Sequence, residues 1–439
     1  MSKVRVSSRS PGIPNGDAVP ATRRQRPVDA ESGVRVDEAG NLIIPADTLA
    51  RAGIGSAADG IVEVTADGVR IAADSLRKVY VEATSVCDLA CVTCLQRTWD
   101  EVAGHMPLER YARLLDGLPD NPSAAVTLTF SGFGEPLMHP DIIEMIRRAR
   151  ARDLRVEIIT NGTRLDAGMA DALAVLGVAQ VTVSVNGGDE AAFASMRQGS
   201  LRRTLEGVAA LRDIRRRRKI PLHIGLACVA TRRNAYSLPS LLHTARDLEI
   251  DFVSISNVVP HTAEMAEETL YERTAFLTNP APDAWRPRVE LARMDRNDLT
   301  RPLLQAIEDE VLVTPPPATD AGSWRNHCRF AHEGMLAVTS DGRVAPCLSL
   351  MRSHTAFVNG QAKTVTGVVV GHVDETPLVQ IWRAPAFREF RRRVRAFDFP
   401  PCFGCGPCPL SETNQDDCYG SQAPVCSECL WAQGIVLCP

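Results

Sequence analysis

At 439 residues, 45% apolar and 23% charged with a formal net charge of −4, the chain has the composition of a large globular protein. It has no apolar run of membrane-spanning length, and its near-neutral charge gives no electrostatic footprint for bulk nucleic-acid binding. Its thirteen cysteines follow a polar start, Met1-Ser-Lys-Val-Arg-Val-Ser-Ser-Arg-Ser, which argues for a reducing, cytoplasmic setting and against a disulfide framework.

Residues 1–32 are rich in Ser, Pro, Arg and Gly without periodicity and read as a disordered tail. A small β module is expected over 33–76: an extended start at Val34–Pro45, a helical piece to Ala52, then strands Ile61–Val64 and Val69–Ile71 joined by Asp67-Gly68. This segment resembles the swapped-hairpin module of AbrB-type transcription factors. Without a basic surface, dimerisation, docking or a structural role suits it better than DNA binding.

From 77 to 276 the pattern alternates strand and helix. Strands are expected at Val79–Ala83, Val126–Phe130, Arg155–Thr160, Gln180–Val185, Leu222–Cys228 and Asp251–Ser256, with helices such as Asp141–Asp153, Asp166–Leu176, Leu201–Ile214 and Ser237–Leu248 between them. The strands are β-branched and nearly continuous, as expected of a parallel sheet covered on both faces. Six repeats predict an α/β fold, a partial (β/α)6 TIM-like barrel, with chemistry at the C-terminal ends of its strands. The basic run Arg215–Lys219 closes a helix and reads as a solvated C-terminal end. Residues 277–325, with Pro280, Pro282, Pro287, Pro302 and Pro315 to Pro317 around a helical piece at Leu303–Val311, read as a connector. A cysteine-rich module occupies 326–439.

Directly after the first barrel strand come Cys87, Cys91 and Cys94. Spacings of four and three let one tight loop present three thiolates to a single [4Fe–4S] cluster and leave its fourth iron open. A structural zinc would want four N or S ligands, and no nearby His or Cys completes such a set. Past the second strand lies Phe130-Ser-Gly-Phe-Gly-Glu-Pro136, where glycines permit close backbone approach and a carboxylate with carbonyls suits an ammonium group.

Together these motifs resemble radical S-adenosylmethionine (SAM) enzymes. The resemblance implies that Cys87, Cys91 and Cys94 hold a cluster whose free iron chelates SAM, and that Gly132, Gly134 and Glu135 bind the methionine amino group. It also implies ribose contacts from Ser184 and Asn186 and a carboxylate contact from Arg197, although each fits turn or capping chemistry equally well. Thr93 departs from the family, which usually places an aromatic side chain there near the adenine. Cys228 ends the fifth strand; facing the barrel mouth it would donate a hydrogen atom to a substrate radical, and facing the other way it would be a small buried hydrophobe.

The remaining cysteines, Cys328, Cys347 (five residues after Gly342), Cys402, Cys405, Cys408, Cys418, Cys426, Cys429 and Cys438, resemble the SPASM extension of these enzymes, which carries one or two auxiliary [4Fe–4S] clusters. Nine exceed the eight that two clusters need, and pairs such as Cys402/Cys405 and Cys426/Cys429 also have zinc-ribbon spacing, so the ligand sets stay open. The AbrB-like start, Cys91-Val-Thr-Cys94 with Trp99-Asp100-Glu101, and the ending Cys429-Leu-Trp-Ala-Gln-Gly-Ile-Val-Leu-Cys-Pro439 resemble the radical SAM/SPASM maturases of tungsten-containing oxidoreductases. What this implies is hydrogen abstraction from a C–H bond of a peptide, protein, cofactor or natural-product substrate, with a ferredoxin or flavodoxin as electron donor and neither DNA nor membrane as partner. Two other expectations stand beside it: redox-neutral epimerisation with Cys228 as hydrogen donor, and a non-catalytic iron–sulfur or zinc protein with a regulatory N-terminal module.

Overall fold

The computed structural model describes residues 34–36, 42–51, 54, 60–65, 68–99, 101–119, 126–271, 288–310, 312–313, 326–358, 360–402 and 408–437. They fall into two compact units, residues 1–75 with 122–124 and the remainder. In the first, β1 (Arg35–Val36) pairs antiparallel with β2 (Leu42–Ile43), and α1 (Ala46–Arg51) follows. There β3 (Gly60–Thr65) and β4 (Gly68–Ala73) form an antiparallel pair in which Thr65 faces Gly68, so Gly68 already belongs to the strand. The expected tail at 1–32 and Asp67 lie outside the described residues.

The second unit is built on one eleven-stranded sheet. Six parallel strands, β5 (Lys78–Val81), β6 (Thr127–Phe130), β7 (Arg155–Thr160), β8 (Gln180–Ser184), β9 (His223–Ala230) and β10 (Phe252–Asn257), are neighbours in chain order. Between them run α2 (Leu108–Asp116), α3 (Ile142–Arg150), α4 (Ala167–Val175), α5 (Glu190–Met196), α6 (Leu201–Arg218) and α7 (Leu238–Asp247). Strand alternation sorts the two faces. Val156, Ile158, Val181 and Val183 are fully buried in the main apolar core with helix residues such as Met145 and Leu173. The opposite face carries polar groups: Thr129 donates to Glu157 at 3.1 Å, and Lys78 pairs with Glu157 at 2.9 Å.

Two features of the sheet differ from expectation. After α8 (Ala263–Glu267), the proline-rich connector contributes β11 (Arg288–Leu291), parallel to β10, then α9 (Arg301–Glu310) and β12 (Leu312–Val313), parallel to β11. These strands are short and proline-flanked, so periodicity does not reveal them. At the other edge, α10 (Arg329–Glu333) leads into β13 (Met335–Val338), which pairs parallel with β5 and is followed by antiparallel β14 (Arg343–Ala345). The cysteine-rich region thereby covers the open edge of the barrel's first strand, whose N–H and C=O groups would otherwise lack partners. The hairpin β15 (His354–Val358) and β16 (Gln361–Val365) comes next, then β17 (Gly371–His372) on β14, α11 (Leu378–Arg383) and α12 (Pro385–Ala396).

The basic end of α6 is exposed from Arg216 to Lys219, as expected, and its arginines find surface partners. Arg215 pairs with Asp251 at 2.6 Å, Arg218 with Asp171 at 2.7 Å, and Arg216 with Glu249. Among the described residues, no helix is long and apolar enough to cross a membrane.

Candidate functional site

The three-cysteine loop leaves the C-terminal end of β5 and is fastened from several sides. The Ala90 N–H donates to the Gln198 side chain at 2.9 Å, the Val92 N–H donates to the Met196 carbonyl at 3.0 Å, and the Gln96 amide donates to the Ser85 carbonyl. Asp88 accepts from Asn161 at 2.9 Å and from Thr163 at 2.7 Å, which ties the loop to the turn that ends β7. Asn161 Nδ2 also stands 3.8 Å from Cys87 Sγ. Gln198 and Asn161 were not legible as loop anchors, because their partners lie about seventy to a hundred residues away.

Burial pushes the Cys94 thiol up to about 11 and raises Cys87 and Cys91 as well, and the neighbouring thiols add to the rise at Cys94. Among the described residues no three His, Cys, Asp or Glu side chains form a closed metal-binding group, so the thiols are neighbours within electrostatic reach rather than a finished cage. Three free thiols on one loop, with an amide donor beside the first, fit an iron–sulfur cluster with one open iron. The clustered cations Arg97 and Arg197 oppose the burial cost at Cys91, as an anionic cluster requires.

The glycine loop after β6 packs onto this segment. A Cβ on Gly134 would lie 2.1 Å from the Thr84 carbonyl oxygen and 2.8 Å from Ser85 Cα, and one on Gly132 would lie 2.7 Å from Glu82 Cγ. The close approach that demands glycine is thus to the chain's own cluster loop, and the Glu135 N–H reinforces it by donating to the Val86 carbonyl at 2.9 Å. The Glu135 carboxylate is 2% exposed and accepts from Leu137 N–H (2.9 Å), Thr160 hydroxyl (2.7 Å) and Asn161 N–H (2.6 Å). Burial pushes its carboxyl up to about 7 against those three donors.

Arg197 is 3% exposed and lies at the C-terminal ends of β7 and β8. Its guanidinium donates to the Ser184 carbonyl at 2.8 Å and to the Asn161 carbonyl, and stands 4.8 Å over the Phe193 ring. Its Nε is buried and has no hydrogen-bond partner. Burial lowers its pKa, with Cys91, Glu135, Cys87 and Asp88 opposing that, so one cation is surrounded by the groups singled out from the sequence. The other two expected contacts are positioned differently. Ser184 offers its carbonyl to Arg197, while Asn186 turns its side-chain oxygen to the Val229 N–H at 3.0 Å and so braces β9.

Of the two faces open to Cys228, its side chain takes the buried one and not the barrel mouth that a hydrogen donor needs. Cys228 is 2% exposed and shares the main core with Leu226 and Ala230, the residues two positions to either side on the same face of β9. Its sulfur meets Asn234 Nδ2 at 3.9 Å, and burial pushes the thiol up to about 12. The reason is strand parity: the same-face neighbours are apolar, and the alternate face of the strand carries Ala227 and Val229. Cys228→Ala should therefore keep full 5′-deoxyadenosine formation and substrate turnover and cost about 1 kcal/mol of stability through lost packing. A variant that folds and binds iron normally but turns over no substrate would restore the donor role.

Four of the nine late cysteines come together. Cys328, Cys347, Cys426 and Cys429 line one apolar cavity bounded by α10, the β15–β16 hairpin and the C-terminal turns. Burial pushes Cys328 up to about 12 and raises Cys347 and Cys426 well above the ordinary thiol range, with Cys429 adding to the rise at Cys328, Cys429 and Cys328 to that at Cys426, and all three to that at Cys347. Four thiols in one apolar pocket have the donor type and number of a [4Fe–4S] ligand set, although no three of them form a closed metal-binding group. Cys402, Cys408 and Cys418 do not line it, Cys418 being exposed, and Cys405 and Cys438 lie outside the described residues.

Residues 81–226 match the radical SAM superfamily model, and residues 328–409 match the SPASM iron–sulfur cluster-binding domain. The chain belongs to the radical SAM/SPASM family. The cofactors of these domains are a [4Fe–4S] cluster with SAM, and auxiliary iron–sulfur clusters in the SPASM domain. The chain is 28% identical over 376 residues, 83% of its own length and 97% of the relative's, to the tungsten-containing aldehyde ferredoxin oxidoreductase cofactor-modifying protein of Pyrococcus furiosus. It is 27% identical, over 71% of its length and 75% of the relative's, to the PqqA peptide cyclase of Granulibacter bethesdensis. In fold it is similar to Streptococcus suis SuiB bound to precursor peptide SuiA (TM-score 0.50, 16% identity, 76% of this chain and 70% of that one). Native anSMEcpe with bound AdoMet is similar to the same degree (TM-score 0.50, 15% identity, 80% and 94%).

Proposed function

We propose that this chain binds SAM at the mouth of its barrel (residues 77–276), cleaves it reductively and abstracts hydrogen from a C–H bond of a cofactor-bearing protein, peptide or natural product. The observation that carries the reading is the buried pair of opposite groups beside the cysteine loop. Arg197, with an unpartnered buried N–H, meets a carboxylate; Glu135, kept among donors yet raised toward neutrality, gains from an ammonium. An amino-acid moiety supplies both charges at once. Cys87, Cys91 and Cys94 would hold the cluster, and bound cluster and SAM together supply a 5′-deoxyadenosyl radical. The chain's own part is to fix that loop through Gln198, Asn161 and the Gly134 contact and to bury the charged groups from water.

In residues 326–439, Cys328, Cys347, Cys426 and Cys429 are assigned to one auxiliary cluster, and the cysteines from Cys402 to Cys418, with Cys405 and Cys438, to any second one. Likeness over 97% of the Pyrococcus furiosus cofactor-modifying protein makes maturase-like modification of a cofactor-bearing enzyme the first substrate class to test, ahead of a peptide. Anaerobic reconstitution is expected to load about eight to twelve iron atoms per chain and, with dithionite or a reduced flavodoxin, to release 5′-deoxyadenosine from SAM. A protein that takes up zinc and releases none would overturn the enzyme reading in favour of a metal-binding role.

A further inference from the structure

The cavity lined by Cys328, Cys347, Cys426 and Cys429 contains an ion pair that the assignment of its cysteines does not explain. Lys363 is the one buried residue of β16, whose other positions are exposed or half-buried. A strand that turns only its lysine inward runs against ordinary patterning, since Lys is seldom buried without a specific partner. The partner is Glu428, whose carboxylate lies 2.7 Å from Lys363 Nζ, with side-chain exposures of 8% and 6%. Both residues line the cavity, and Glu428 belongs to the loop Cys426-Ser-Glu-Cys429 that presents two of its thiols.

The Lys363 charge reaches both Cys426 and Cys429 and opposes the burial that raises their thiols. Arg393, a second cation nearby, acts on Cys426 and is engaged by the Pro424 carbonyl at 3.0 Å. Lys363 thus shares the cavity with the four thiols, its ammonium held by Glu428 at 2.7 Å. In an apolar cavity such a fixed charge is poorly screened, so it discriminates between oxidation states of whatever the four thiolates hold.

We propose that Lys363, held by Glu428, is a positioning residue that raises the reduction potential of the auxiliary cluster bound by Cys328, Cys347, Cys426 and Cys429. The inference rests on the assignment of that cluster to those four cysteines. On reduction the cluster takes one electron from an external reductant, no bond is made or broken, and the added negative charge is stabilised by the ammonium. Removing the ammonium makes that electron harder to add, and removing the carboxylate makes it easier.

The test is an EPR-monitored redox titration of the full-length reconstituted protein with dithionite and mediators, the auxiliary signals being recognised by their persistence in Cys94→Ala. Lys363→Met is expected to move one auxiliary midpoint to more negative potential, Glu428→Gln to move the same midpoint to more positive potential, and Lys363→Arg to leave it near the parent value. A merely structural pin would move the first two in the same direction or leave both unchanged with iron intact, and either result overturns the proposal. Should Lys363→Met lose the cluster, Glu428→Gln decides alone: a positive shift supports the proposal and an unmoved midpoint ends it. Failure of the ligand assignment is separately visible, as unchanged iron content in Cys426→Ala and Cys429→Ala.

Discussion

Cys94→Ala is expected to lower 5′-deoxyadenosine formation to the detection limit and to remove about four iron atoms per chain, leaving the iron of the auxiliary sites in place. Cys94 is the deepest of the three loop thiols, and burial pushes it up to about 11. A thiol so placed stays protonated and poorly nucleophilic in the metal-free protein, so what makes it a thiolate has to be the metal itself. Two residual thiols cannot keep a cuboidal cluster with a single open iron. The loop fold should survive the substitution, because its anchors are the Ala90–Gln198 and Val92–Met196 bonds rather than the sulfur. Iron and acid-labile sulfide analysis, with quantification of 5′-deoxyadenosine after reduction, checks both parts. Parent-level nucleoside from the variant would show that the cluster loop has been misassigned.

Arg352→Met is expected to destabilise the protein by about 3–5 kcal/mol, the largest effect on stability foreseen for a single residue. Glu82 continues the chain from β5 with its side chain 0% exposed, and Arg352, at 4%, binds it through two contacts of 2.9 and 2.7 Å. Arg352 also pairs with Glu101 at 2.7 Å and stands 4.9 Å over the Trp99 ring, which meets Phe133 edge-on at 4.6 Å. Phe133 closes the circuit, donating its N–H to Glu82 at 3.3 Å. One guanidinium from the C-terminal region thus ties together the strand end, the exit of the cysteine loop and the glycine loop. Removing it leaves a buried carboxylate with only long bonds from the Phe133 and Ser340 N–H groups, 3.3 Å each, and from the Ser340 hydroxyl at 3.5 Å. The penalty should fall well below the single-variant value in Glu82→Gln/Arg352→Met, where no uncompensated charge remains, and denaturant melts of the reconstituted proteins measure the difference. Additive losses in the double variant would contradict the buried-charge account.

The barrel was legible because its signal is local. Strands β5 to β10 lie within two residues of their expected bounds, since runs such as Arg155–Thr160 carry their burial in their own composition. Cys87, Cys91 and Cys94 share one loop, so spacing alone brings them together. At Gly134 the contact that forbids a side chain is with Thr84 and Ser85 of the chain's own cluster loop, a partner that the glycine pattern by itself does not name. Strand parity at Cys228 and the orientation of Asn186 were not legible, because a one-residue choice of face depends on what the rest of the sheet packs against.

By itself, the sequence determined the chemistry that depends on neighbours along the chain: a three-thiol loop after a strand, a glycine-rich carboxylate segment one strand later, and a second cysteine-rich region. Only the tertiary structure decided which distant groups meet. It brought Cys328, Cys347, Cys426 and Cys429 to one cavity with Lys363, turned Cys228 into the core, set β13 against β5, and placed Arg352 on Glu82. The physical reason is that contacts between residues a hundred or more apart are selected by burial: a charge or thiol taken out of water must find its partner in space, and sequence spacing carries no record of that choice.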